Sequence, residues 1–278
     1  MMTIFEPITG RYVAVNGART YFDEAGEGVP IVCIHPGATD SRIYRHLLPL
    51  LAERGYRAIA PDLPGHCRSY PAQWQPGTSI HDHAEFVHAF VRTVLPGISP
   101  FVLGASVGGL TALDLAAHHG ESYRGVVAMQ AASWTPLSAE AAALLAGRTS
   151  APDAGWTDHL EYAAVTSASK KLTAEQETEL RWLQRSTSQQ AGQFDGQAWA
   201  SHDLRGRLGD VRCPVLLVQG TDDFFVQDEL VDDTVAEMGS AAQLLRVPDI
   251  GHYPPLENPE WVAQVADTFV KQVMATAD

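Results

Sequence analysis

The pentapeptide Gly104-Ala-Ser-Val-Gly108 sets a serine between two glycines. That spacing suits a hydroxyl carried on a sharp turn from a strand into a helix. The glycines relieve crowding there, so Ser106 can project from the carboxyl edge of a sheet. A serine hydroxyl is a poor nucleophile until a base accepts its proton. His252 is the candidate base, because it follows the apolar run Gln243 to Val247 in the loop Pro248-Asp-Ile-Gly-His252. An imidazole in that role needs a carboxylate to hold its tautomer and stabilise the imidazolium. Gly220-Thr-Asp-Asp223 follows another apolar run and offers Asp222 or Asp223. Singly, these features read as a Gly-rich helix start, a loop histidine and a turn-forming aspartate. Their order along the chain, Ser then Asp then His, joins them into one candidate site.

The remaining polar clusters read differently. In His81-Asp82-His83 the two histidines stand at i and i+2, which do not share a helix face, so a solvated helix start is expected rather than a metal site. His118-His119 closes an apolar helical stretch, where a basic side chain answers the helix dipole. The chain has no H-E-x-x-H, no paired C-x-x-C, no Walker loop and no dinucleotide fingerprint. Neither a metal nor any other cofactor is expected.

The elements that must position these residues alternate. After an opening antiparallel pair, Gly10 to Gly17 and Ala18 to Glu24, strands are predicted at Val29 to Ile34, Tyr56 to Ala60, Pro100 to Leu103, Gly125 to Met129, Pro214 to Val218 and Gln243 to Val247. Helices are predicted between them, at Ser41 to Arg54 with a kink at Pro49, Ser79 to Leu95, Val107 to His119 and Asp228 to Met238. A terminal helix follows Asn258-Pro259. Repeated strand-helix-strand units imply an α/β fold with a mostly parallel sheet and helices on both faces. From Trp134 to Arg207 the pattern becomes helical and polar, with an Ala-rich helix from Ser138 to Gly147 and a capping box at Thr173 to Gln176. The expected organisation is a core domain of residues 1–133 and 208–278, with residues 134–207 as an inserted helical lid. Trp134 is expected near the pocket mouth as a substrate contact. Trp156, Tyr162, Trp182 and Trp199 are expected as pocket wall or lid core.

Composition narrows the class. A chain of 278 residues with 45% hydrophobic content can bury a large core. A net charge of −14 argues against a sequence-independent nucleic-acid binder, which needs a basic stripe. The partner expected is a small molecule, with neither nucleic acid nor membrane. Charged residues interrupt the first 30 positions, and no apolar run reaches the roughly 18 residues of a membrane span. Three cysteines, an odd number, fit reduced thiols and a cytoplasmic location. The oligomeric state is not legible.

These residues resemble the α/β-hydrolase superfamily from about Gly10 to Met274. His35-Pro-Gly-Ala38 is similar to its His-Gly oxyanion loop, Asp62-Leu-Pro-Gly-His-Cys-Arg-Ser69 to its Asp-x-x-Gly-His-Gly-x-Ser loop, and Gly251-His-Tyr-Pro-Pro-Leu-Glu-Asn-Pro259 to its closing histidine motif. The resemblance implies a triad of Ser106, His252 and Asp223, the acid standing three residues after Gly220. It implies an oxyanion hole from the N–H groups of Val107 and Gly37, with Ala38 in reserve. Two positions depart from the pattern: Pro36 and Cys67 each replace a glycine. The activity implied is hydrolysis of an ester, thioester or lactone through an acyl-enzyme. The alternatives are a carbon-carbon-cleaving or non-hydrolytic relative, or a ligand-binding receptor.

Overall fold

Eight strands form one sheet in the order β1-β2-β4-β3-β5-β6-β7-β8 in this computed structural model, which describes residues 6–277 apart from 72–73, 75–76, 78 and 137–154. They are β1 Thr9–Val15, β2 Ala18–Ala25, β3 Val29–Ile34, β4 Tyr56–Pro61, β5 Phe101–Ala105, β6 Gly125–Met129, β7 Val215–Gly220 and β8 Ala242–Val247. β1 pairs antiparallel with β2, and β2 antiparallel with β4. The pairings from β4 and β3 through to β8 are all parallel.

Every residue of β5 and β6 is buried, as continuous apolar runs require in a sheet covered on both faces. Alternation along the strands divides the core into two layers. Val32, Ile34, Val102 and Leu217 join the layer with helices α2 (Ile80–Val94) and α3 (Val107–His119). Ile31, Cys33, Leu103 and Leu216 join the layer with α1 (Leu47–Glu53) and the C-terminal helix, Pro259–Ala277. Truncating a leucine inside either layer, such as Leu113, costs about 2–5 kcal/mol.

The single helix expected over Ser41 to Arg54 is two pieces. A 3-10 turn, Ser41–Tyr44, is capped by Asp40, whose carboxylate receives the N–H of Arg42, and α1 begins only at Leu47. Pro49 therefore falls in the first turn of α1, where its missing N–H has no helical acceptor to lose, and the break comes before it.

Between β6 and β7 run α4 (Trp156–Ser167), α5 (Ala174–Ser186) and α6 (Gln189–Ala200). The capping box opening α5 is present: Thr173 Oγ1 receives the N–H of Gln176, and Gln176 Oε1 that of Thr173. The Ala-rich helix expected from Ser138 lies outside the described residues. After β7 come α7 (Asp228–Met238), the short α8 (Pro254–Glu257) and α9 (Pro259–Ala277), with Asn258 receiving the N–H of Trp261. No helix among the described residues is long and apolar enough to cross a membrane.

Candidate active site

Ser106 stands between β5 and α3 with φ of 55° and ψ of −122°, a backbone conformation that L-residues rarely adopt. Its neighbours explain how the turn is tolerated. A Cβ on Gly104 would stand 2.0 Å from the Gly108 carbonyl oxygen, and one on Gly108 2.0 Å from that of Ile34, so both positions need glycine. The Ser106 N–H donates to the Met129 carbonyl at 3.0 Å, which fixes the turn to the end of β6.

His252 is brought from the loop after β8. Its Nε2 lies 2.7 Å from Ser106 Oγ, and its Nδ1 lies 2.8 Å from Asp223 Oδ2. The other Asp223 oxygen accepts the N–H of Phe225 at 2.7 Å, and the Asp223 side chain is fully buried. Asp222 turns away: its carboxylate receives the N–H of Lys170 at 3.1 Å. The rings of Phe225 and Tyr253 pack edge-on against the imidazole at centroid distances of 5.0 and 5.2 Å. Glu257 takes the N–H groups of Gly251 at 2.6 Å and Tyr253 at 2.9 Å, the residues on either side of His252. Gln130, at the end of β6, receives the N–H of Gly220 and donates to the Gly251 carbonyl, tying the strand before the acid to the histidine loop.

Ser106 and His252 open onto a cavity of about 240 Å³ that Gly37, Ala38 and Val107 also line. The N–H groups of Gly37 and Val107 have no acceptor among the described residues. Trp156, Leu160, Ala163, Trp199 and Phe225 make its walls apolar, and Gln184 and Asp195 add polar groups from α5 and α6. A larger cleft of about 830 Å³, lined by Tyr21, Arg42, Arg68 and Glu179 among others, holds none of Ser106, His252 and Asp223.

Trp134 does not line the cavity. Its backbone bridges to Asp203, and the Arg205 guanidinium stacks 4.2 Å from its ring centroid, which holds the indole aside. Of the other aromatics, Trp156 and Trp199 are walls of this cavity, Trp182, 56% exposed, lines the larger cleft instead, and Tyr162 is 71% exposed. Cys67 is exposed in a loop with φ of 39°, which accounts for the glycine that the resemblance leads one to expect there. His35 is fully buried, with Nδ1 at the Pro36 carbonyl and Nε2 receiving the Leu63 N–H. Burial, reinforced by the neighbouring His66, pushes its pKa down to about 4, so it is neutral near pH 7. His81 and His118, separate in the sequence reading, meet at the buried Asp114, each with Nδ1 2.9 Å from one carboxylate oxygen. The three potential ligand atoms lie within 4.8 Å of one another.

Sequence reasoning missed Gln184, Asp195 and Glu257 as site residues. Glu257 lay within the closing motif, but nothing in local spacing marks the other two.

A mostly parallel sheet with helices on both faces and a strained serine at the head of one of them defines a class of α/β-fold enzymes. The profile of the family described as alpha/beta hydrolase fold matches residues 29–259. A 2-hydroxy-6-oxo-6-phenylhexa-2,4-dienoate hydrolase of Burkholderia cepacia is 26% identical over 93% of this chain and 95% of its own. Two solved structures share the architecture. A thermophilic esterase from Thermogutta terrifontis has a TM-score of 0.83 at 20% identity, covering 95% of this chain and 99% of its own. An enol-lactonase from Burkholderia xenovorans has a TM-score of 0.82 at 19% identity, covering 94% and 100%. The chain belongs to the α/β hydrolase fold family and is a hydrolase of that fold.

Proposed function

We propose that the enzyme hydrolyses an uncharged carboxylic ester, thioester or lactone through an acyl-enzyme on Ser106. His252 Nε2 takes the hydroxyl proton as Oγ attacks the carbonyl carbon. The oxyanion forms against the N–H groups of Gly37 and Val107, and Asp223 stabilises the imidazolium. Collapse expels the alcohol or thiol, which leaves with the proton from His252. Water enters, His252 accepts its proton, and the hydroxide attacks the acyl carbon to release the acid and free Ser106.

One observation carries this reading: His252 stands 2.7 Å from Ser106 Oγ on one side and 2.8 Å from Asp223 Oδ2 on the other. The charge of the substrate is argued from the walls. No lysine or arginine is among the described residues lining the cavity, so none of them offers a cation to pair with a carboxylate. In this reading residues 134–207 form the lid, because α4, α5 and α6 supply Trp156, Leu160, Gln184, Asp195 and Trp199 to the walls. Its surroundings would be the cytoplasm, to which three unpaired cysteines are suited.

A second reading follows the Burkholderia cepacia relative, whose named substrate is a dienoate. Its near full-length coverage favours it, and the lack of a lysine or arginine among the described wall residues opposes it. A panel of matched substrates separates the two. Turnover of neutral aryl and alkyl esters at rates that fall sharply when the acyl chain carries a carboxylate is expected. Preference for the carboxylate-bearing compounds would move the assignment to the second reading.

A further inference from the structure

Asp195 is a carboxylate buried within an apolar wall, 3% exposed, on α6 far from the triad in sequence. A charge out of water must be paired and hydrogen-bonded, so its partners say what it does. Its Oδ2 receives the N–H of Ala38 at 2.7 Å and His66 Nε2 at 2.8 Å, and its Oδ1 lies 3.1 Å from His83 Nε2. Ala38 has φ of 53°, an unfavourable conformation for alanine that persists only where the surroundings hold it. The loop and the helix also meet closely, because a Cβ on Gly37 would stand 3.3 Å from Asp195 Cβ and 2.9 Å from Val107 Cγ2.

We propose that Asp195 is a positioning residue for the oxyanion hole: by gripping the Ala38 N–H it holds the strained loop so that the free N–H of Gly37 faces the same point as that of Val107. The inference rests on the acyl-enzyme reading. Because Asp195 is carried by α6, docking of that helix and assembly of the hole are one event, and a hole without its helix in place is incomplete.

A bare carboxylate beside a developing oxyanion would oppose it. Here both ring nitrogens of His66 face acceptors, Asp195 Oδ2 and the Pro64 carbonyl, which suits the imidazolium. Burial opposes that charge, and the adjacent carboxylate outweighs it, so the His66 pKa is raised. The same pairing outweighs burial at Asp195 and holds its carboxyl well below the usual range. The carboxylate is thus hydrogen-bonded by the rings of His66 and His83 rather than left bare beside the hole.

The test uses the full chain with Asp195→Ala and Asp195→Asn. The asparagine keeps a carbonyl oxygen for the Ala38 N–H. On a neutral ester, Asp195→Ala is expected to lower kcat about 100-fold with KM within about threefold, and Asp195→Asn to recover most of the loss. In parallel, the Ala38 amide proton is followed by NMR in the wild type and in Asp195→Asn, which needs no turnover. It is expected downfield in the wild type, as for an amide donating to a carboxylate, and shifted upfield in Asp195→Asn. A wild-type kcat in folded Asp195→Ala, an effect confined to KM, or an unshifted Ala38 amide overturns the inference alone. A wild type that turns over no ester in the panel overturns the acyl-enzyme reading and this inference with it. If Asp195→Ala does not fold, the Ala38 amide still decides the matter, since an unshifted signal in Asp195→Asn overturns the inference.

Discussion

Asp223 presents one carboxylate oxygen to His252 Nδ1 at 2.8 Å and engages the Phe225 N–H with the other, so its orientation is fixed from both sides. Asp222, its neighbour, faces the Lys170 backbone instead. Asp223→Asn is therefore expected to lower turnover by about four orders of magnitude, through loss of tautomer control, while Asp222→Asn changes it little. Steady-state kinetics of both folded variants on one ester decide between them, and the reverse ranking would transfer the role to Asp222.

Glu257 accepts the N–H groups on both sides of His252, so its carboxylate sets the path of the loop rather than touching the reacting atoms. Glu257→Ala is expected to reduce kcat by about 10- to 100-fold at nearly constant KM, the effect of a small misplacement of the base. A variant that folds and retains wild-type kcat would show that the loop holds its course without the carboxylate.

Two buried histidines tie stability to pH. Burial pushes His202 down to about 4, and burial together with His66 pushes His35 down to about 4. Both folded values lie below the ordinary value near 6.5, so the unfolded chain binds more protons in between. Stability is then lost as pH falls from about 6.5 toward 4. His202→Gln removes one of these protons and is expected to flatten the slope by up to ~1.4 kcal/mol per pH unit. Urea titrations of both proteins across that window measure the difference, and parallel slopes would contradict it.

The alternation of apolar runs with amphipathic stretches made the sheet legible in the sequence, because each buried strand is a local pattern. Ser106, His252 and the pair Asp222-Asp223 were legible for a related reason: each sits in a turn just past such a run. Asp195 was not, since its partner Ala38 lies 157 residues away and nothing in Gly192-Gln-Phe-Asp195 marks a charge that tertiary packing buries. Trp134 was misplaced because its position after β6 suggested the pocket edge, whereas Asp203 and Arg205, some 70 residues on, draw it aside. The helix break before Leu47 is not legible in the sequence, because Pro49 reads as a kink inside one helix as readily as part of the first turn of a second.

The most direct measurement is covalent capture. A fluorophosphonate reports whether one serine has an imidazole taking its proton and a hole receiving its oxygen, whatever the natural substrate. Wild-type protein treated with such a probe, digested and mapped by mass spectrometry is expected to carry one adduct, on the peptide containing Ser106. Ser106→Ala, folded to the same Tm, should carry none and turn over ester several orders of magnitude more slowly. Absence of an adduct on Ser106, or substantial ester hydrolysis by folded Ser106→Ala, would contradict the acyl-enzyme account.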